Sequence, residues 1–262
     1  MSFNPTVSDH WITHPQGRLF ARQWTPPEGA ETGVPLVLLH DSLGCIELWR
    51  GFPELLSRTT GRRVVAYDRM GFGRSDARPA RPSHDFVAEE ARLYLPHVRE
   101  QLGVGRFAVL GHSVGGGMAI NVAATTPECE ALISIAAQTF VEDKTLDGVR
   151  AAKVQFSDPA QVDRISRYHG PKADWVLDAW IGTWLDPEFA GWTLNGVLAQ
   201  ITCPALAIHG EDDEFGSPAH ALRVGEHSRG PVQTDILPAT GHVPHREQPD
   251  AMAQRIARFL AG

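Results

Sequence analysis

The sequence predicts an α/β protein with a mostly parallel central sheet, helices on both faces, and an inserted helical cap. Three observations carry this. Short continuous apolar runs bounded by turn residues alternate with segments of helical periodicity, the pattern of strands buried on both faces. The pentapeptide Gly111-His112-Ser113-Val114-Gly115 lies between one such run and an apparent helix. From about Val141 to Gln200 the alternation stops, and the pattern is helical throughout.

Taken in order, the predicted strands are Leu19 to Trp24, Leu36 to Leu39, Arg63 to Tyr67, Phe107 to Leu110, Ala131 to Ile135, Ala205 to Ile208 and Val232 to Leu237. Leu48, Phe52, Leu55 and Leu56 form one helical face. Val87, Ala91, Tyr94, Leu95 and Val98 form a second, although Pro96 lacks the N–H a regular helix needs. Ala251 to Leu260 supplies the last helix. Within the helical stretch, Asp158-Pro159 reads as a start, Gly170 as a stop and Pro171 as a new start. Leu177, Trp180, Ile181, Trp184 and Leu185 then make a stripe that ends before Pro187. The expected organisation is a core of residues 1–140 and 201–262 with a cap of residues 141–200. Trp175, Trp180, Trp184 and Trp192 concentrate in that cap. Packing onto the main domain is the ordinary use of such residues. One or two, with Trp180 and Trp184 as the candidates, are expected to line an apolar pocket above Ser113.

At 262 residues the chain is long enough for one large core. Its 42% hydrophobic and 21% charged residues, with glycine and proline dispersed, fit a soluble globular enzyme. A net charge of -7 without a Lys/Arg-rich stripe argues against nucleic acid as a partner. Cys45, Cys129 and Cys203 are too widely spaced to suggest a zinc site and suit a reducing cytoplasm. Met1 to His10 shows no basic region followed by an apolar stretch, and Val34 to Leu39 is far too short to cross a bilayer. Neither secretion nor a membrane partner is expected. No cofactor or metal is expected either: Gly71-Phe72-Gly73 lacks the rest of a dinucleotide fingerprint, and Gly115-Gly116-Gly117 lacks the lysine of a phosphate loop.

The chemistry starts at Ser113. A strand-to-helix turn sharp enough to project a serine above the sheet needs small residues on both sides, and Gly111 and Gly115 supply them. A serine hydroxyl is a poor nucleophile until a base takes its proton, and the base needs a third group to hold its tautomer. Both partners are sought on loops at strand ends downstream. After Ala205 to Ile208 comes His209-Gly210-Glu211-Asp212-Asp213-Glu214, and after Val232 to Leu237 comes Gly241-His242-Val243-Pro244-His245. The order Ser113, Asp213, His242 suits a triad built on an α/β sheet.

With these motifs the chain resembles the alpha/beta-hydrolase superfamily over nearly all its length. Tyr67-Asp68-Arg69-Met70-Gly71-Phe72-Gly73-Arg74-Ser75-Asp76 is similar to that family's turn after the fourth strand, and Gly241-His242 with Pro244-His245 and Glu247-Gln248-Pro249 to its catalytic-histidine segment. The resemblance implies that Asp213, three residues after the strand-ending glycine, is the acid, and that His242 is the base. Asp212 is the acid if the loop register differs by one, and Asp143 is the fallback that some members of the superfamily use. Glu211 and Glu214 read as a solvated loop, His245 as structural or pocket-lining, and His112 as packing beside the site.

The resemblance further implies an oxyanion hole from two backbone N–H groups, one of Val114 and one of Ser42. The family's usual His-Gly-x-x-Gly reads here His40-Asp41-Ser42-Leu43-Gly44, which is similar to the Asn-Ser-Leu-Gly of 3-oxoadipate enol-lactonases. Asp41 is expected to shape the turn, or else to meet a polar substrate group. The expected function is cleavage of an ester-like bond in a small, partly apolar substrate through an acyl-enzyme. Lactonase, carbon–carbon bond hydrolase, aminopeptidase and cofactor-free perhydrolase are the rival enzymes, and a hydrolase-fold ligand receptor is the rival from another class. The expected partner is a small ester or lactone, with a homo-oligomer left open.

Overall fold

A computed structural model of the chain describes residues 3–262. Its sheet has eight strands: β1 (Thr6–His14), β2 (Gly17–Thr25), β3 (Leu36–Leu39), β4 (Val64–Tyr67), β5 (Phe107–His112), β6 (Cys129–Ile135), β7 (Ala205–Gly210) and β8 (Val232–Leu237). They lie in the order β1-β2-β4-β3-β5-β6-β7-β8. β1 and β2 are antiparallel, and the pairs from β4 through β8 are parallel. β1 is the element the sequence reading lacks. It alternates exposed and half-buried polar residues and has a partner on one side only, so it carries no continuous apolar run.

The helices are α1 (Phe52–Thr60), α2 (Phe86–Glu89), α3 (Leu95–Gln101), α4 (Val114–Thr125), α5 (Asp143–Gln155), α6 (Pro159–His169), α7 (Ala173–Leu177), α8 (Asn195–Leu198), α9 (Ala219–His227), α10 (Pro244–Glu247) and α11 (Pro249–Leu260). Leu48 falls outside α1, in a separate 3₁₀ turn, Ile46–Trp49, because Pro53 starts the helix anew. Pro96 cannot donate to the carbonyl of Arg92, and the chain accommodates this with a π turn, Glu90–Tyr94, between α2 and α3. A second π turn, Asp178–Gly182, follows α7 and carries Trp180.

Alternation along the strands builds two cores. Leu36, Leu38, Val64, Ala66, Ala108 and Leu110 face α1 and α11 through Phe52, Leu56, Met252 and Ile256. Val37, Leu39, Val65, Val109 and Leu132 face the other side, against Val87, Val98, Met118 and Ile120. Each fully buried Val, Leu, Ile, Met or Phe among them contributes about 1.5–3 kcal/mol.

The chain leaves β3 toward β4 on one side and later returns to β5 on the other, so the sheet's switch point lies between β3 and β5. A crevice opens there at the carboxyl ends of the strands. Both the His40–Gly44 loop and Ser113 sit at this point. The segment between β6 and β7 leaves through a narrow neck: Phe140 bridges Thr193, Val141 N–H donates to the Trp192 carbonyl, and Leu194 N–H to that of Thr139.

Candidate active site

Ser113 has φ 56° and ψ -127°, a conformation that a side chain rarely adopts and that the surrounding turn imposes. The flanking glycines are required. A Cβ on Gly111 would lie 2.0 Å from the Gly115 carbonyl oxygen, and one on Gly115 would lie 2.2 Å from that of Leu39. With those side chains absent, β5 turns directly into α4.

Ser113 Oγ lies 3.0 Å from His242 Nε2, and His242 Nδ1 lies 2.8 Å from Asp213 Oδ2 and 2.9 Å from Oδ1. Asp213 is fully buried. Burial pushes its carboxyl up, but hydrogen bonds from His209 and His242 outweigh that and hold it well below the usual carboxylate range. The Phe215 N–H, at 2.7 Å from Oδ1, adds a further donor. Ionised Asp213 therefore fixes the proton on His242 Nδ1 and leaves Nε2 free to accept from Ser113. Asp212, Glu211 and Glu214 are exposed, and Asp143 lies exposed at the start of α5.

Two neighbours escaped the sequence reading. His209 Nε2 lies 3.1 Å from Asp213 Oδ2, making the acid shared between two histidines. Gln138, in the loop after β6, places Oε1 3.2 Å from Ser113 Oγ, so the single serine proton has two acceptors in reach. Their one sequence signal is position: both stand at the carboxyl end of a parallel strand.

The His40–Gly44 loop is held by its carbonyls. Asp41 C=O accepts from His40 Nδ1 at 2.8 Å, from Arg69 Nη2 at 2.8 Å and from the Gly44 N–H at 3.2 Å. In a trans peptide this turns the Ser42 N–H the opposite way, and it finds no acceptor among the described residues. The Val114 N–H is one of the unpaired donors of the first turn of α4. His40 is locked in the neutral Nδ1–H form, because Nε2 accepts the Arg69 N–H at 3.0 Å and burial lowers its pKa well below 6.5.

Asp41 does two things at once. Oδ1 accepts the Leu43 N–H at 2.9 Å and shapes the turn, while Oδ2 lies 3.2 Å from His112 Nδ1. The other nitrogen of His112 is 2.8 Å from the His242 carbonyl. A carboxylate and a carbonyl both accept, so both ring nitrogens of His112 donate and the two side chains form an ion pair. Burial would raise the Asp41 carboxyl, and the His112 contact outweighs it, holding Asp41 ionised. The result is a neutralised pair that joins the His40–Gly44 loop to the backbone of His242. His245 packs between Trp49 and Phe52, at ring separations of 4.9 and 5.3 Å, and burial lowers its pKa well below 6.5.

A cavity of about 290 Å³ opens above Ser113, lined in part by Leu48, Val149, Ile165, Trp180, Trp184 and Phe215. Trp180 lies 5.8 Å from the Phe215 ring, and Trp184 is buried against Phe189 and Trp192 at 5.4 and 5.8 Å. Trp175 and Trp192 pack elsewhere, on Phe72 and Phe189. No helix among the described residues is long and apolar enough to cross a membrane.

Residues 34–249 match the family model of the alpha/beta hydrolase fold. Over 255 residues the chain is 29% identical to the dihydrolipoyllysine-residue acetyltransferase component of the acetoin cleaving system of Pseudomonas putida, covering 88% of this chain and 65% of that protein. Over 100 residues it is 30% identical to the sn-1-specific diacylglycerol lipase ABHD11 of Danio rerio, covering 38% of this chain and 30% of that protein. Among solved structures, naproxen esterase from Bacillus subtilis superposes with a TM-score of 0.73 at 20% identity, covering 98% of this chain and 92% of that one. Matched through most of its length, and with the sheet and crossovers that the match requires, the chain belongs to the alpha/beta hydrolase fold family.

Proposed function

We propose that the chain is a serine hydrolase that cleaves a carboxylic ester-like bond in a small, partly apolar substrate. The observation that carries this reading is the unbroken relay from Asp213 through His242 to Ser113, with Ser113 on a strained turn that leads into the Val114 N–H and opens on the same cavity as Ser42. His242 takes the Ser113 proton as Oγ adds to the substrate carbonyl carbon, and the Ser42 and Val114 N–H groups stabilise the charge on its oxygen. The bond to the leaving group breaks as His242 returns the proton to it. His242 then deprotonates a water, which adds to the acyl carbon, and Ser113 departs with its proton restored. The helices of residues 141–200 act as a cap whose Val149, Trp180 and Trp184 contact the acyl group.

A fluorophosphonate probe should label Ser113 alone, and Ser113→Ala should lose nearly all turnover on activated esters while staying folded. Labelling that persists in the variant would move the nucleophile elsewhere. Lactone opening is the second reading, favoured by the Asp41-Ser42-Leu43-Gly44 loop. Graded acyl esters and lactones assayed side by side separate the two.

A further inference from the structure

The turn at Ser113 uses Gly111 and Gly115, which leaves Gly116 and Gly117, in the first turn of α4, to be explained. Both face the loop that follows β6. A Cβ on Gly116 would lie 2.5 Å from the Ala137 Cβ, and one on Gly117 would lie 3.2 Å from the Gln138 carbonyl oxygen. Glycine weakens a helix, so two in succession mark a close approach that side chains would forbid. Ala136, just past β6, takes φ 48°, a left-handed conformation uncommon for a residue with a Cβ, and its N–H donates to the Ile208 carbonyl at 2.8 Å. On the other side of Gln138, the Thr139 N–H donates to His220 Nδ1 at 3.2 Å and the Thr139 carbonyl accepts the Leu194 N–H at 2.7 Å. Gln138 is thus held from both sides, buried, and on the wall of the cavity above Ser113. Its Oε1 lies 3.2 Å from Ser113 Oγ, on which His242 Nε2 already stands at 3.0 Å. The serine hydroxyl has one proton, and attack on a substrate hands it to His242, so the second acceptor has no part in that step.

We propose that Gln138 is a catalytic residue of the second half-reaction: its Oε1 holds the water that hydrolyses the acyl-enzyme, and so directs the acyl group to water rather than to an alcohol. The inference rests on the hydrolase reading above and deepens it. In the acyl-enzyme Ser113 Oγ is esterified and has no proton, so both acceptors beside it are released. Water has two protons, one for each. His242 Nε2 accepts one and Gln138 Oε1 the other, which turns a lone pair of the water oxygen toward the acyl carbon. As the new C–O bond forms, the first proton passes to His242 Nε2, and the second stays on the oxygen, still donated to Gln138. The bond from that carbon to Ser113 Oγ then breaks, Oγ takes the proton from His242, and the carboxylic acid leaves. An alcohol has one hydroxyl proton, which His242 takes, so Gln138 gives it no comparable advantage.

Gln138→Met keeps the length and shape of the side chain and removes the strong acceptor. In buffer containing methanol, the acyl-enzyme formed from 4-nitrophenyl butanoate divides between butanoic acid and methyl butanoate, and the product ratio reads deacylation whichever step limits turnover. The ratio of methyl ester to acid should rise about tenfold in Gln138→Met, the change expected when the attacking water loses one hydrogen bond. Over the same substitution kcat/KM, which reports acylation alone, should stay within about twofold once active sites are counted by fluorophosphonate titration of Ser113. Both readouts refer to folded, reactive protein, so a partial loss of stability does not mimic them. A wild-type product ratio in the variant, or a fall in kcat/KM as large as the change in that ratio, overturns the assignment and leaves the hydrolase reading standing. Absence of Ser113-dependent release of 4-nitrophenolate by the wild type overturns the hydrolase reading itself.

Discussion

Substituting Asp41 and His112 singly and together measures what their ion pair does. In His112→Leu, the Asp41 carboxylate keeps the Leu43 N–H but loses its charged partner, and the His242 carbonyl loses its donor. Removing one partner of a buried ion pair costs about 3–5 kcal/mol, and a buried carbonyl left unpaired about 1–3 kcal/mol. The Asp41 side chain is 23% exposed, so water meets part of the first need and a total near 3 kcal/mol follows, at the low end. Asp41→Asn can still accept from Leu43 and donate to a neutral His112, and should cost about 1 kcal/mol. In Asp41→Asn/His112→Leu no charge is stranded, and the loss should be about 2 kcal/mol rather than the sum of about 4. Urea unfolding of the four proteins gives the coupling directly. Parallel assays on an activated ester should show kcat falling about tenfold in His112→Leu with little change in KM, because the displaced group is the backbone of His242. Losses that add to within about 0.5 kcal/mol would refute the shared charge.

Asp213→Asn should lower kcat by roughly three to four orders of magnitude, since an amide no longer fixes the His242 tautomer, while exposed Asp212→Asn should change it less than about threefold. Reversed effects would show that the acid has been misassigned. Trp180→Ala and Trp184→Ala should each alter the ratio of turnover on long and short acyl esters, and Trp184→Ala should in addition lose about 3 kcal/mol of stability because the ring is buried. An unchanged ratio in the first variant would mean that Trp180 touches no substrate. Burial lowers the pKa of His169 from 6.5 to about 4, so its contribution to stability is present above pH 6.5 and is lost as pH falls toward 4. Relative to His169→Gln, the wild type should lose about 3 kcal/mol more across that window. Parallel melting curves between pH 7 and pH 4 would contradict this.

Most strands and the three relay residues could be read from the chain because their signals are local. A buried parallel strand is a continuous apolar run, and Ser113, Asp213 and His242 each sit within a few residues of a glycine near a strand end. What escaped depends on partners far along the chain. β1 is recognisable only once β2 stands beside it, and Asp41 looks like a loop residue until His112, 71 positions later, pairs with it. His209 and Gln138 likewise acquire meaning only when β5, β6, β7 and β8 bring their ends together. Of the four tryptophans, Trp180 and Trp184, which share a helical stripe with Leu177, Ile181 and Leu185, are the two that line the cavity, while Trp175 and Trp192 pack elsewhere.

His169 and Lys172 bear on how this protein could be altered. His169 Nε2 donates to the Leu43 carbonyl at 3.0 Å and its Nδ1 accepts the Gly73 N–H at 2.9 Å. Lys172 Nζ reaches the carbonyls of Phe72, Gly73 and Ser75. The inserted helices thus brace the loop that carries Ser42, and are not an interchangeable module. A chimera that imports another protein's helices to gain a new substrate range would discard this bracing along with the old specificity. Transplants that keep residues 169–172 and exchange only α5 and the first turns of α6 are the ones expected to change selectivity without loosening the loop that carries Ser42.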